Sequence, residues 1–481
     1  MACNLSPMPR GGRASFRQIA ESFLSQPGLP FAEVLSAERI ERIFAKHGGL
    51  FGSNSIYSTA VMVWSFLGQV LRDGKEAACQ SAVARVVTHC QQAGLSAPTA
   101  DTGDYCRARA KLSEQALHEI SCEVASELQT AADSRWLWKL KRHGKLIDGF
   151  TFTMPDTPEN QAAYPQPKSQ KAGVGLPLAR AVAITSLATA CVLDAAIGPH
   201  AGKETGESAL LRTLLLALLP EDIAVFDRYC CSFMMIALLQ LQGTDVCARL
   251  HQKRHCDFRR GKRLGIDDHL IVWTRPTCPT WMDEATYARI PATLELRELR
   301  YQVVEKGCRT KTVTIITTLT DAQEYTTQDL AELYGLRWNV ELDIRHLKSS
   351  LNLGHLRCKT PAMVRRELWV SLLAYNLIRT TAAGAALLHN KLPREISFTS
   401  TCQYVLSSWM HWPCSKKGGP ATQPGAATQF CLGLLAQIAS RQVADRPGRL
   451  EPRVLKRRRH GYKLMQKPRS VLRAELRKTC T

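Results

Sequence analysis

The sequence predicts an α/β fold with a helical N-terminal region and a β-rich insertion, and three observations lead to this prediction. Residues 1–135 contain mainly helix-forming stretches. Residues 140–230 alternate between short apolar strands and helix patterns, which is typical of a layered α/β domain. Residues 232–325 hold several further strand-like runs. A chain of 481 residues is long enough for about two to four domains.

The first predicted domain, residues 1–135, is helical. Residues 58–70 are apolar around Trp64 without the strict alternation of a surface strand. Residues 105–117 place three cations among helix formers: Arg107, Arg109 and Lys111. These cations could contact nucleic acid or form a solvated helix face, and the sequence leaves both interpretations open.

The second predicted domain, residues 136–389, begins with strands that end in acids. Residues 145–148 form a short apolar run ending in Asp148, and residues 223–227 form another ending in Asp227. Residues 181–193 are rich in small and β-branched side chains, which predicts one or two buried strands between them.

A β-rich insertion at about residues 232–325 is predicted inside this second domain. Its strand-like runs are residues 269–274, 294–304 and 312–318. Residues 326–389 return to helix patterns. The third predicted region, residues 390–481, contains a Pro- and Gly-rich linker or loop at residues 413–426 and ends in a basic tail.

The charge of the chain indicates a polyanionic partner. The formal net charge is +21, and residues 446–481 supply about half of it, with 13 Lys or Arg against two Glu. We expect no membrane span, because the apolar stretches fall short of about 20 residues, and no signal peptide, because residues 1–12 lead into no apolar run. The 17 cysteines include no CxxC pair. We therefore expect reduced thiols, including Cys230, Cys231 and Cys256, and no structural zinc.

The two strand-ending acids form the first candidate site. Ligands of α/β folds gather at the carboxyl ends of strands. Mg²⁺ prefers a few hard oxygen ligands together with water and substrate phosphate, so Asp148 and Asp227 are reasonable ligands for it. Taken alone, each acid could equally be a turn or cap residue.

A sharper pattern lies in the segment YGLRWNVELDIRHLK. It contains Tyr334, Arg337, Glu341 and Lys348, at offsets of 3, 7 and 14 from the tyrosine. At about 100° per residue these positions fall within about 60° of one another on a helix. An acid, two cations and a phenol are an unusual stripe for a buried core, although a solvated charged face would look the same.

Tyr-x2-Arg-x3-Glu-x6-Lys resembles the signature of DDE transposases of the insertion sequence 4 family. The run DGFTFTMPDTPENQAAYPQP from Asp148 and the run FDRYC around Asp227 resemble the segments around the family's two aspartates. DYCRARAKLS near the N-terminus and the basic end from Arg446 are also similar to the family. Phe150 departs from it, because a small hydroxyl residue is commoner after Asp-Gly.

The resemblance implies a ribonuclease-H-like catalytic core with an insertion before the glutamate helix. It implies that Asp148, Asp227 and Glu341 bind two Mg²⁺ ions, for which Mn²⁺ can substitute, and so cleave and transfer DNA strands. It further implies that Tyr334, Arg337 and Lys348 contact DNA phosphates. Trp338 would either pack in the core or stack on an extruded base.

The implied partners are double-stranded DNA, both the terminal inverted repeats of an element and its target, and a second copy of the chain in the DNA complex. The expected location is the bacterial cytoplasm, in association with the nucleoid. Two alternatives remain: a catalytically inactive, transposase-derived DNA-binding protein, and a ribonuclease-H-like nuclease or resolvase. The intact acids and the full-length resemblance argue against both.

Overall fold

The computed structural model describes residues 34–52, 55–92, 94, 96–303, 312–411, 426–443 and 465–479. The chain divides into two compact units. Unit 1 comprises Met1–Val124, Arg365–His389 and Ser397–Arg441, and unit 2 comprises Ala125–Val364, Asn390–Ile396 and Gln442–Thr481. The linker expected at residues 413–426 lies almost wholly outside the described residues. Residues 444–464, which include much of the basic C-terminal region, also lie outside them.

Unit 1 is built from helices. They are α1 (Ala37–Lys46), α2 (Thr59–Val70), α3 (Cys79–Gln92), α4 (Gly103–Ala110), the first part of α5 (Glu114–Thr130), most of α12 (Pro361–Leu388), α13 (Phe398–His411) and α14 (Ala426–Ala439). Every residue of α2 is buried, which explains why its sequence is apolar without a polar face. Ser58 caps this helix by accepting a hydrogen bond from the Val61 amide. The helical character predicted for the N-terminal residues is thus present wherever the structure describes them.

Unit 2 contains one large sheet with helices on both faces. Its strands are β1 (Gly144–Thr153), β2 (Leu178–Ser186), β3 (Val192–Pro199), β4 (Ile223–Phe226), β5 (Asp245–Arg249), β6 (Lys262–Gly265), β7 (Asp268–Thr274), β8 (Thr293–Gln302) and β9 (Thr312–Thr317). Its helices are α6 (Pro158–Ala163), α7 (Glu207–Arg212), α8 (Phe233–Leu241), α9 (Glu284–Arg289), α10 (Thr327–Gly335), α11 (Asn339–Arg345) and α15 (Arg469–Thr479). The predicted α/β class is confirmed.

The order of strands in the first half of the sheet is β3-β2-β1-β4-β5. Strands β1, β2 and β3 form an antiparallel meander, while β4 lies parallel to both β1 and β5. This order and these directions are those of a ribonuclease-H-like core, as the resemblance implied. A buried ion pair between Lys145 and Asp222, 3.6 Å apart, fixes the start of β1 beside the start of β4.

The β-rich insertion continues the same sheet. Strand β9 pairs antiparallel with β5, and β8, β7 and β6 follow in that order. The strand-like runs at residues 269–274, 294–304 and 312–318 correspond to β7, β8 and β9. Helix α8 and strand β5 also fall within residues 232–325, but they belong to the core order, so the added strands begin after Arg249.

The two faces of the sheet cover two separate apolar clusters. Ile147, Ala224 and Phe226 point into one, which also holds α8 and residues 210–218. Leu146 and Val225 point into the other, which is covered by α10. Successive side chains of a strand alternate between the two faces of the sheet. Neighbouring residues of β1 and β4 therefore contact helices on opposite faces.

Two local predictions are wrong. Strand β1 does not end at Asp148 but runs on to Thr153, because residues 149–153 pair with β2. The Tyr-Arg-Glu-Lys segment is not one regular helix: α10 ends at Gly335, a 3₁₀ turn spans Leu336–Trp338, and a π-helical turn, His346–Ser350, follows α11. None of the described helices is both long enough and apolar enough to cross a membrane.

Candidate active site

Asp148 and Asp227 lie side by side on one face of the sheet. Ile147 of β1 pairs with Phe226 of β4, and each acid is the next residue along its strand. Both Ile147 and Phe226 point into the cluster beneath α8. By alternation, Asp148 points to the opposite face, towards α10 and α11, and Asp227 follows the end of β4 at the same level. The Asp227 carboxylate accepts a hydrogen bond from the Tyr229 amide, which closes the turn after β4.

Glu341 comes to this face on α11, which packs against β1. Its neighbour on the helix, Asp343, is only 1% exposed and accepts hydrogen bonds from Arg394 at 3.2 and 3.0 Å. Arg394 also donates to the carbonyls of Ser186 and Leu187 just after β2. This clamp fastens the glutamate helix to the sheet, so the position of Glu341 is set by the core rather than by a loop.

Arg337 bridges the two elements. Its guanidinium lies 3.6 Å from the Asp148 carboxylate and 3.4 Å from the Glu341 carboxylate. The residue is buried, and its Nε has no hydrogen-bond partner. The guanidinium also stacks 4.8 Å from the centre of the exposed Trp338 ring. A cation therefore stands between the two carboxylates.

The other residues of the predicted stripe are divided between core and surface. Tyr334 is buried in the cluster beneath α10, with Arg337 5.9 Å above its ring. Lys348 is half-buried in the π-helical turn, and its side chain lies beside Gly354. The Gly354 carbonyl accepts a hydrogen bond from the Thr153 amide at the end of β1. The expectation of a single charged face is wrong for the buried Tyr334 and Arg337.

A fourth acid, Glu207, meets the site from the other face of the sheet. It is the first residue of α7, and its side chain packs against Gly149, the residue after Asp148. A methyl group added at Gly149 would come within 2.6 Å of a Glu207 carboxylate oxygen, so glycine is needed for this close approach. The sequence patterns do not mark Glu207 as a site residue; its position after Gly206, at the start of α7, is the signal that could have pointed to it.

Burial and, to a smaller extent, mutual repulsion raise the pKa of two of these acids, Asp148 and Glu207. The pKa of Asp148 is raised to about 6, chiefly by burial and also by the carboxylates of Asp227 and Glu207, against the opposing effects of the Gly149 amide and Arg337. Burial, followed by Asp227, likewise raises the pKa of Glu207. Cys230, buried nearby, has its pKa raised to about 12, mainly by burial, and stays a thiol.

The donor set of this site suits a hard divalent cation. Asp148, Asp227, Glu207 and Glu341 are oxygen donors, and a divalent ion would relieve the repulsion that raises the pKa of Asp148. Among the described residues, the predicted triad does not form a cluster whose ligand atoms all lie within 4.8 Å of one another. The Arg337 guanidinium stands between Asp148 and Glu341 and supplies the compensating charge.

The three cations predicted near the N-terminus lie in unit 1, and two of them, Arg107 and Arg109, have partners there. Arg107 is exposed and pairs with Asp104 at 2.6 Å. Arg109 donates to the Gln69 amide oxygen at 2.9 Å and stacks over the Phe66 ring. Of the basic C-terminal region, α15 is described in unit 2, where Arg469 lies 3.6 Å from Asp156.

Comparison with known proteins gives a consistent result. A family model described as a transposase DDE domain matches residues 140–377, which contain all three predicted catalytic acids. The transposase InsG for insertion sequence element IS4 of Escherichia coli K12 is 26% identical over 451 residues, covering 91% of this chain and 94% of that protein. The transposase for insertion sequence element IS421 of Escherichia coli is 39% identical over 66 residues, covering 14% of this chain and 18% of that protein.

One solved structure is also similar. It is the cryo-EM structure of a piggyBac transposase synaptic complex with hairpin DNA, with a TM-score of 0.40 and 9% sequence identity. The similarity covers 87% of this chain and 85% of that chain.

Proposed function

The chain belongs to the DDE transposases of the insertion sequence 4 family, enzymes that depend on divalent metal ions, and from that premise we propose that Asp148, Asp227 and Glu341 are its catalytic triad. The observation that carries the proposal is their arrangement. Two of the acids follow paired positions of adjacent parallel strands, and the third is held by a clamped helix that packs on the same strand.

The triad would hold two Mg²⁺ ions, which supply an activated nucleophile and stabilise the leaving oxygen when bound. The contribution of the protein is to hold the carboxylates in place. Asp148 is fixed by its pairing with Ala183 of β2 and by the pairing of the preceding residue, Ile147, with β4, and α11 is fixed through Asp343. Such rigidity matters because positioning accounts for much of the catalysis of phosphoryl transfer.

Arg337 would contact the DNA phosphate next to the cleaved bond. Its guanidinium already lies between two of the acids, and its buried Nε has no partner, so a further acceptor fits its donors. Lys348 would add a second phosphate contact near the end of β1. Tyr334 packs beneath Arg337 and supports it. Because its ring is buried, Tyr334 would not contact DNA through a solvent-exposed face. The exposed Trp338 is available to stack on a base.

The proposed substrate is double-stranded DNA, both the ends of the element and its target, cut and joined by a homodimer bound to the ends. The net charge of +21 supports a polyanionic substrate. Cleavage leaves a 3′-hydroxyl on the element end. This hydroxyl would be the nucleophile in strand transfer, at the site formed by the same three carboxylates.

Isosteric substitution of each acid tests the assignment. Asp148→Asn, Asp227→Asn and Glu341→Gln should each abolish strand cleavage on a labelled element end while leaving binding in a band-shift assay, since affinity comes mainly from cations. Glu332→Gln is the matched control, because Glu332 is an exposed acid of α10, the helix before α11. Nicking by Asp227→Asn at near the wild-type rate would show that the triad is assigned wrongly.

The same assay separates this proposal from a catalytically inactive DNA-binding protein. An inactive protein would give identical cleavage gels for the wild type and all the acid variants. Arg337→Ala should lose binding and cleavage together, because its proposed partner is the DNA phosphate. If Arg337→Ala binds element ends as tightly as the wild type, the phosphate contact is wrong.

A further inference from the structure

A second group of potential metal ligands lies in the insertion, away from the acids of the core. Cys256, in the loop between β5 and β6, meets His269 of β7 and Glu298 of β8. One ligand atom from each residue lies within 4.8 Å of the other two. His269 and Glu298 are direct partners in the β7–β8 pairing, so the sheet itself fixes two of the three side chains.

We propose that Cys256, His269 and Glu298 bind a zinc ion. The separations between their ligand atoms match a tetrahedral site. The Cys256 Sγ lies 3.8 Å from the His269 Nε2, which in turn lies 3.3 Å from the Glu298 carboxylate. Ligands around zinc at usual bond lengths and tetrahedral angles would be about 3.6 Å apart for sulfur and nitrogen and about 3.4 Å for nitrogen and oxygen.

The orientation of the imidazole is the one expected of a metal ligand. The His269 Nδ1 lies 2.7 Å from the Arg260 carbonyl, which can only accept, so Nδ1 carries a hydrogen. In the neutral ring Nε2 then presents a lone pair to a carboxylate, which is repulsive unless a cation lies between them. A carbonyl that fixes the tautomer is the usual support of a zinc-binding histidine.

Burial and charge complete the argument. His269 is 1% exposed and Glu298 is 4% exposed, and both side chains face Cys256 on the same side of the sheet. A thiolate and a carboxylate would neutralise a divalent ion, so the buried site would carry no net charge. The site opens into a surface pocket of about 430 Å³ that is lined by both strand residues, so water can supply a fourth ligand.

The sequence gives no sign of this site because its ligands are not closely spaced. Cys256 and His269 are 13 residues apart, and His269 and Glu298 are 29 apart. A zinc ion here would tie the loop of residues 250–261 to β7 and β8, in the part of the sheet that is added to the catalytic core. The zinc site is separate from the carboxylate ligands proposed for catalysis.

The test is the metal content of the full-length protein, purified without a histidine tag and filtered into buffer with Mg²⁺. We expect about one zinc per chain in the wild type and in Cys278→Ser, the control, which replaces an exposed cysteine of the same insertion. Cys256→Ser and Glu298→Gln should lose the zinc. Zinc held equally by all four proteins would place the metal elsewhere and overturn the proposal.

Cobalt gives a second measurement that needs no variant to fold. Wild-type protein stripped of metal and loaded with Co²⁺ should show a thiolate-to-cobalt charge-transfer band in the near ultraviolet, and so should Asp227→Asn, because the catalytic acids contain no sulfur ligand. Cys256→Ser should lose the band. A wild type with neither zinc nor this band would refute the zinc site.

Discussion

Asp148→Asn should make the metal-free protein more stable while it abolishes cleavage. The carboxylate is mostly buried and lies near the carboxylates of Asp227 and Glu207, so its charged form is less favourable in the folded chain than in the unfolded chain. Asparagine keeps the acceptor for the Gly149 amide, which lies 2.8 Å from Asp148 Oδ1, and removes only the charge.

The size of the effect follows from the pKa. A carboxyl with a pKa of 3.8 in the unfolded chain and about 6 in the folded chain costs about 3 kcal/mol of folding free energy at pH 8. A raised acid pKa means that the folded state holds the proton more tightly, so this cost is absent below pH 3.8 and grows as the pH rises towards 6. At pH 5 about half of it, roughly 1.6 kcal/mol, remains.

Urea denaturation in EDTA at pH 8 and pH 5 measures the difference. The variant should unfold at a higher urea concentration than the wild type at pH 8, with a smaller gap at pH 5. Mg²⁺ should then stabilise the wild type more than the variant, because ligand binding favours the state that binds it. Asp343→Asn is the matched control: it removes the partner of Arg394 and should destabilise the protein by about 3 kcal/mol. A variant of Asp148 no more stable than the wild type at pH 8 would refute the electrostatic account.

Three further outcomes are expected. Element-end cleavage should require Mg²⁺ or Mn²⁺, with Ca²⁺ supporting binding alone, and efficient cleavage in EDTA would contradict the metal assignment. The rate of cleavage should fall as the pH drops below about 6, where Asp148 is protonated. Glu207→Gln removes one repulsive charge and should therefore shift this acidic limb of the pH–rate profile to lower pH. If the limb does not shift, Glu207 does not influence the site. Removing residues 446–481 deletes a net charge of +11 and should flatten the dependence of DNA affinity on salt; an unchanged slope would mean that the tail does not touch phosphate.

The features that depend on local sequence could be predicted. Apolar runs ending in Asp148 and Asp227 predict strands whose ends meet, and β1 and β4 do pair in parallel up to the residues just before these two acids. The length of β1 was underestimated because the run was ended at its acid, although residues 149–153 alternate large and small side chains in the way of a strand.

The features that depend on tertiary contacts between different elements could not be predicted. Glu207 reaches the site only because Gly149 lets its side chain pack against the strand, a contact between residues on different elements. Arg337 looks like a surface cation in the sequence, and it is buried because α10 ends at Gly335 and the following 3₁₀ turn directs the side chain inwards. Periodicity fixes neither of these positions, because it describes one element at a time.

The continuity of the sheet sets the geometry of the insertion. Nine strands spaced about 4.8 Å apart span roughly 38 Å, and a twist of about 20–25° per strand accumulates to about half a turn between β3 and β6. The orientation of the outer strands relative to the catalytic core is therefore fixed by backbone hydrogen bonds. Deleting β6–β9 would expose the hydrogen-bonding edge of β5, which could then pair with another chain. The catalytic core therefore depends on its insertion to cover that edge.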